Sequence, residues 1–172
     1  MFSKINISQI IKDHFNTLRN QATHKISGWD IFTFIVFPLI ASLVILFIVG
    51  FTLDKDASSI LITSLSVFSA LLFNLLLLIF DIVTREERAS KIIKDSPLKG
   101  KFLREIYSNI SFSILISVIC VAILLITLIN IKIVWFNQVV SFIVYYLVIQ
   151  FLLTIFMVLK RVHVLISQEI KD

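Results

Sequence analysis

Charge is missing from four long stretches of this 172-residue chain: residues 31–53, 57–80, 106–131 and 133–159 contain no Asp, Glu, Lys or Arg. Cysteine is nearly missing too. Cys120 is the one cysteine, which excludes an internal disulfide framework and any cysteine-rich metal site, and it reads as a small filler inside an apolar run. Three glycines and two prolines, with no repeat of fixed period, exclude low-complexity linkers and repeat arrays, so a single bundle spanning residues 1–172 is expected. Hydrophobic residues make up 58% of the sequence and the mean hydropathy is +0.99. That is more apolar than a soluble domain tolerates, and the chain reads as a membrane protein.

Each uncharged stretch exceeds the roughly 20 residues that cross about 30 Å of hydrocarbon as an α-helix. Runs this long satisfy their backbone hydrogen bonds as helices, not as barrel strands of about ten residues. The expected fold is therefore all-α and polytopic, with four transmembrane helices arranged as two hairpins. The corners of the hairpins are Asp54–Lys55–Asp56 and the region of Lys132. The first span follows thirty residues and lacks a small-residue cleavage site, so it is expected to remain as a helix and not to be removed as a signal peptide. Pro38 within it frees the carbonyl of Phe34 and predicts a kink.

Of the sixteen Lys and Arg residues, all but Lys55 and Lys132 fall in residues 1–30, 81–105 and 160–172. Basic residues stay on the cytoplasmic side during insertion, which predicts both termini and the central connection in the cytoplasm. Residues 1–30 include an amphipathic helix with Ser8 as N-cap and Ile7, Ile11, Phe15 and Leu18 on its apolar face. It suits the headgroup layer, the underside of the bundle, or a cytoplasmic partner. Residues 81–105 read as a helical hairpin that turns at Ser96, Pro97 and Gly100. Most of its charge follows from topology and surface ion pairs. Repeated around an oligomer, Lys91, Lys94, Lys99 and Lys101 would also form a ring able to hold a nucleotide or a short single-stranded nucleic acid by its phosphates.

Catalytic patterns are absent. No HExxH, glycine-rich phosphate loop or nucleophile elbow occurs, and His14, His24 and His163 are expected at the surface or the membrane interface. Intramembrane enzymes and proton-coupled transporters need ionisable groups at membrane depth, and these spans have none. The expectation is a non-enzyme without cofactor or metal.

The second span nevertheless keeps polar residues. At about 100° per residue, Ser59, Thr63, Ser66, Ala70, Asn74, Leu77 and Asp81 fall in one sector of about 80°. The third span carries a similar stripe, Asn109, Ser113, Ser117, Cys120, Leu124 and Thr127, and the fourth has Tyr146, Gln150 and Thr154. Small and hydroxylated residues let membrane helices approach closely and hydrogen-bond to one another. In a ring of identical subunits, four for example, the same residues would instead line an aqueous path. Leu77 or Phe73 would then form a constriction that closes by dewetting, and a ring of Asp81 would favour cations.

Three segments, DHFNTLRN, WDIFTFIVFP and SLSVFSALLFNLLLLIFD, resemble the small four-helix inner-membrane effectors of bacterial antiphage defence. That class includes Kiwa-type membrane subunits, membrane effectors of cyclic-oligonucleotide signalling and the membrane component of the Hailong system. The resemblance implies a homo-oligomeric channel or depolarising pore in the lipid bilayer. It further implies gating by a nucleotide or nucleic-acid signal and pairing with a cytoplasmic nucleotidyltransferase or sensor. The alternative is a non-conducting anchor that holds a soluble partner at the membrane through the basic hairpin.

Overall fold

A computed structural model describes residues 7–18, 29, 32–48, 50, 52–90, 97–129 and 134–169. Among these the chain is entirely helical apart from short corners. The elements are α1 (Ile7–Thr17), α2 (Phe32–Ile48), α3 (Lys55–Ser90), α4 (Pro97–Thr127) and α5 (Val134–Glu169). Three of them, α3, α4 and α5, are long and apolar enough to cross a membrane. The first uncharged stretch yields a shorter and less regular helix than the other three. Only Phe37–Leu43 of α2 is α-wound, and π-wound turns, Phe32–Val36 and Val44–Ile48, flank it. Pro38, buried near the start of the α-wound part, has no N–H to give, and wider winding beside it is one way a helix accommodates a missing donor.

Antiparallel packing of α3 on α4 and of α4 on α5 forms the body, with α2 against α5 and α1 across the start of α4. Its apolar core includes Leu65, Leu72 and Ile79 of α3, Ile106, Ile110 and Leu124 of α4, and Val144 and Phe151 of α5. One end of the body is closed by local hydrogen bonds. The Asp54 carboxylate accepts from the Ala57 N–H at 2.7 Å, capping α3, and the Leu53 N–H donates to the Ser141 hydroxyl at 3.0 Å. Gly50, just past α2, has φ +67° with open space around the missing Cβ. Its requirement is therefore conformational, and Gly50→Ala should destabilise the protein by about 1 kcal/mol, read as a lowered midpoint of thermal unfolding in detergent.

Two local expectations need correction. Ser8 lies inside α1, which already starts at Ile7. Gly100 belongs to α4, because Pro97 opens that helix with the fixed φ and missing N–H suited to a first turn; Ser96 lies outside the described residues. The buried side of α1 is Ile10, His14, Thr17 and Leu18, whereas Ile7, Ile11 and Phe15 stay exposed.

Candidate functional site

The two polar stripes have opposite fates. On α4 the residues Asn109, Ser113, Ser117, Cys120 and Leu124 are buried within the chain. Ser117 bonds the Ser69 hydroxyl of α3 at 3.1 Å, and Thr127 pairs with the Ser58 hydroxyl at 2.9 Å. On α5, Gln150 and Thr154 are buried as well. These residues hold helices together.

On α3, by contrast, Ser59, Thr63, Ser66, Ala70, Asn74, Leu77 and Asp81 are all exposed. Leu65, Leu72 and Ile79, which bury against the body, lie about 150° around the helix from the centre of that stripe. Ser59 and Thr63 donate to the carbonyls of Lys55 and Ser59 four residues back, a bond a hydroxyl makes anywhere in a helix. Asn74 has no hydrogen-bond partner among the described residues. Apolar side chains border the stripe, Val67 and Leu71 on one flank and Phe73 and Phe80 on the other. Only 11% of an apolar window of α3 is buried, against 39% for α4 and 33% for α5, so α3 is the least covered of the three.

At the end of the stripe, Asp81 is not a free carboxylate. Arg85 reaches it at 2.9 Å, with both side chains more than half exposed. A pair this exposed is worth little stability, but it offsets the charge that a bare acidic ring would carry. Of the four lysines expected to form a basic ring, Lys91 and Lys94 lie outside the described residues, and Lys99 and Lys101 are placed by backbone alone near the start of α4.

A second polar cluster, unforeseen in the sequence, ties α1 to the body. His14 is fully buried, not at a surface or interface. Its ring stacks on Phe112 with centroids 3.7 Å apart, and the edges of Phe15 and Phe34 close around it. Nδ1–H donates to the Asn109 Oδ1 at 2.9 Å, while Nε2 has no partner in the chain. The Thr17 hydroxyl is shared between the same Asn109 oxygen and the His14 carbonyl. Arg161 of α5 donates to the Thr17 carbonyl at 2.8 Å and meets Glu105 of α4 at 3.2 Å, both charged side chains being about 15% exposed. Burial, helped by the nearby Arg161 cation and opposed by the Asn109 bond, lowers the His14 pKa from 6.5 to about 4. His163 is exposed, and His24 lies outside the described residues.

Beside this cluster, a half-open cavity of about 580 Å³ lies between α1 and α4. No group of three or more His, Cys, Asp or Glu able to hold a metal ion occurs among the described residues. Comparison with protein-family models, with curated proteins and with solved structures gives no match for this chain.

Proposed function

We propose that this protein is a homo-oligomeric, gated ion pathway of a bacterial inner membrane, built on α3 and controlled from the cytoplasmic side. The observation that carries the reading is the outward stripe of α3, which leaves Asn74 uncovered near the middle of an apolar helix. An amide that faces hydrocarbon with no partner is strongly disfavoured. Neighbouring copies of α3 would supply what the single chain lacks, with the flanking Val67, Leu71, Phe73 and Phe80 as packing surface and the stripe turned toward water.

The same reading takes α2 as a fourth crossing. Phe34, near its start, touches His14 at the end of the body where Arg161 lies, and Leu53, beyond its end, bonds Ser141 at the other. The twenty residues of α5 from Ser141 to Arg161 measure about 30 Å, and α2 packs along them. Four crossings put all but two basic residues on one side, in keeping with cytoplasmic termini. Depolarisation of an infected cell is the use that the antiphage resemblance suggests, with a nucleotide or nucleic-acid signal acting through the basic cytoplasmic residues and a cytoplasmic nucleotidyltransferase or sensor supplying it.

Leu77 gives a test that needs no signal. If Leu77 closes the path by dewetting, Leu77→Ser should open it. Liposomes containing the purified Leu77→Ser protein should lose trapped potassium rapidly, wild-type liposomes should stay tight, and adding Asn74→Leu should suppress most of the leak. Tight Leu77→Ser liposomes, or a leak indifferent to Asn74→Leu, would reject the pathway and favour a membrane anchor.

A further inference from the structure

We propose that the cavity between α1 and α4 binds a group carrying a phosphate beside a primary ammonium, the headgroup of an ethanolamine phospholipid. The inference concerns this cavity alone and stands or falls separately from ion conduction.

The membrane-length stretch of α4 begins at Phe102, and the cavity is lined by Arg104, Tyr107 and Ser108 from the next two turns. It therefore sits at the edge of the apolar zone, at the depth where headgroups lie. Tyr107 is partly exposed there, in keeping with the preference of tyrosine for membrane boundaries. About 580 Å³ is within the range of small-molecule sites and far larger than one water requires.

Two further features bear on what the cavity could hold. Ser108 is 7% exposed, yet its hydroxyl has no hydrogen-bond partner in the chain. That hydroxyl lies behind the cavity wall, out of reach of a water-sized molecule, so recognition rests on the charges of the wall and not on Ser108. The charges on the wall also balance in a particular way. Glu105 is engaged by Arg161, which leaves Asp13 and Arg104 as the charged pair facing the space. Arg104 is exposed and has no ion pair among the described residues, and its planar guanidinium suits a phosphate. Asp13 accepts from the Gln9 amide at 3.1 Å and keeps lone pairs for a further donor.

Among the described residues, one available cation and one available carboxylate fit a zwitterion. A nucleotide, with several phosphates, would meet two carboxylates and a single guanidinium. A glycerol headgroup has no cation for Asp13, and a choline headgroup has a cation with no N–H to donate.

Full-length protein in detergent, analysed by native mass spectrometry, decides the matter. Ethanolamine, glycerol and choline phospholipids with identical acyl chains are offered in competition. Wild type should retain the ethanolamine lipid about tenfold over the other two, the worth of one charge-assisted hydrogen bond. Asp13→Asn should erase the preference by admitting the glycerol lipid, whereas Arg104→Gln should weaken retention of all three lipids alike, because each carries the phosphate. Displacement by soluble phosphoethanolamine would assign recognition to the headgroup alone; selective retention without displacement would assign it to the membrane-borne lipid. Equal retention of the three lipids by wild type, an unchanged preference in Asp13→Asn, or undiminished retention in Arg104→Gln would overturn the proposal. Should either variant fail to fold, the wild-type competition decides by itself.

Discussion

Replacing Arg161 with methionine should cost about 3–5 kcal/mol, the usual penalty for leaving a largely buried partner charge uncompensated. Arg161 joins three elements at once, donating to the last turn of α1 through the Thr17 carbonyl and pairing with Glu105 of α4 from its place on α5. A cation at that carbonyl also suits the negative end of the α1 dipole. Removing it strands the Glu105 carboxylate at about 15% exposure. The measurement is a double-mutant cycle by thermal or denaturant unfolding in detergent. Glu105→Leu added to Arg161→Met should recover a large part of the loss, because the stranded charge disappears with its partner. Equal losses in the single and double variants would show that packing, and not charge, dominates at this junction.

Acid should release α1. His14 has its folded pKa lowered to about 4 from 6.5, so between those values the undocked state binds more protons than the docked one. Stability is then fully present above pH 6.5, falls as the pH drops through that window, and is diminished by about 3 kcal/mol at pH 4 and below. The direction follows from the site. A protonated imidazole between Phe112, Phe15 and Phe34 would have no partner for Nε2–H and would sit beside the Arg161 cation. Hydrogen exchange of residues 7–17, corrected for intrinsic rates, should accelerate in wild type at pH 4.5 relative to pH 7.5. The His14→Gln variant keeps an amide donor near Asn109 and cannot titrate, so carboxylate effects alone should remain in it. Matching acid responses in the two proteins would assign the release to groups other than His14.

Much of the bundle is legible from the placement of charge. Lipid excludes Asp, Glu, Lys and Arg strongly enough that α3, α4 and α5 stand out as uncharged runs, and Asp54 marks a corner that the structure caps as a helix start. The facing of those helices is harder to read. Neighbouring helices and lipid tails are equally apolar, so Leu and Ile carry no orientation signal, and the α3 and α4 stripes look alike in sequence. Only packing separates the buried Ser117 from the exposed Ser66. For α2 the hydropathy of residues 31–53 indicates a span, but composition does not report winding, and Pro38 leaves the regular α-wound part at Phe37–Leu43. His14 was hidden for a different reason. It stands among Lys12, Asp13 and Asn16 and looks like part of a wet face; its burial depends on Asn109 and Phe112, nearly a hundred residues away, and on Arg161 farther still. The offset of a few polar residues on an otherwise amphipathic helix gives no warning of such partners.

The two longest helices, α3 and α5, have 36 residues each, or about 54 Å of unbroken rod where hydrocarbon accounts for about 30 Å. Their surplus is made of the charged turns after Phe80 and after Leu159. A continuous rod gripped at one tip moves along its whole length, because an unbroken hydrogen-bond ladder curves only gently. In the proposed pathway those projecting tips would be handles: a tilt imposed on them would carry Leu77 and Asn74, about one and two turns inside Phe80, with no flexible joint between to absorb it.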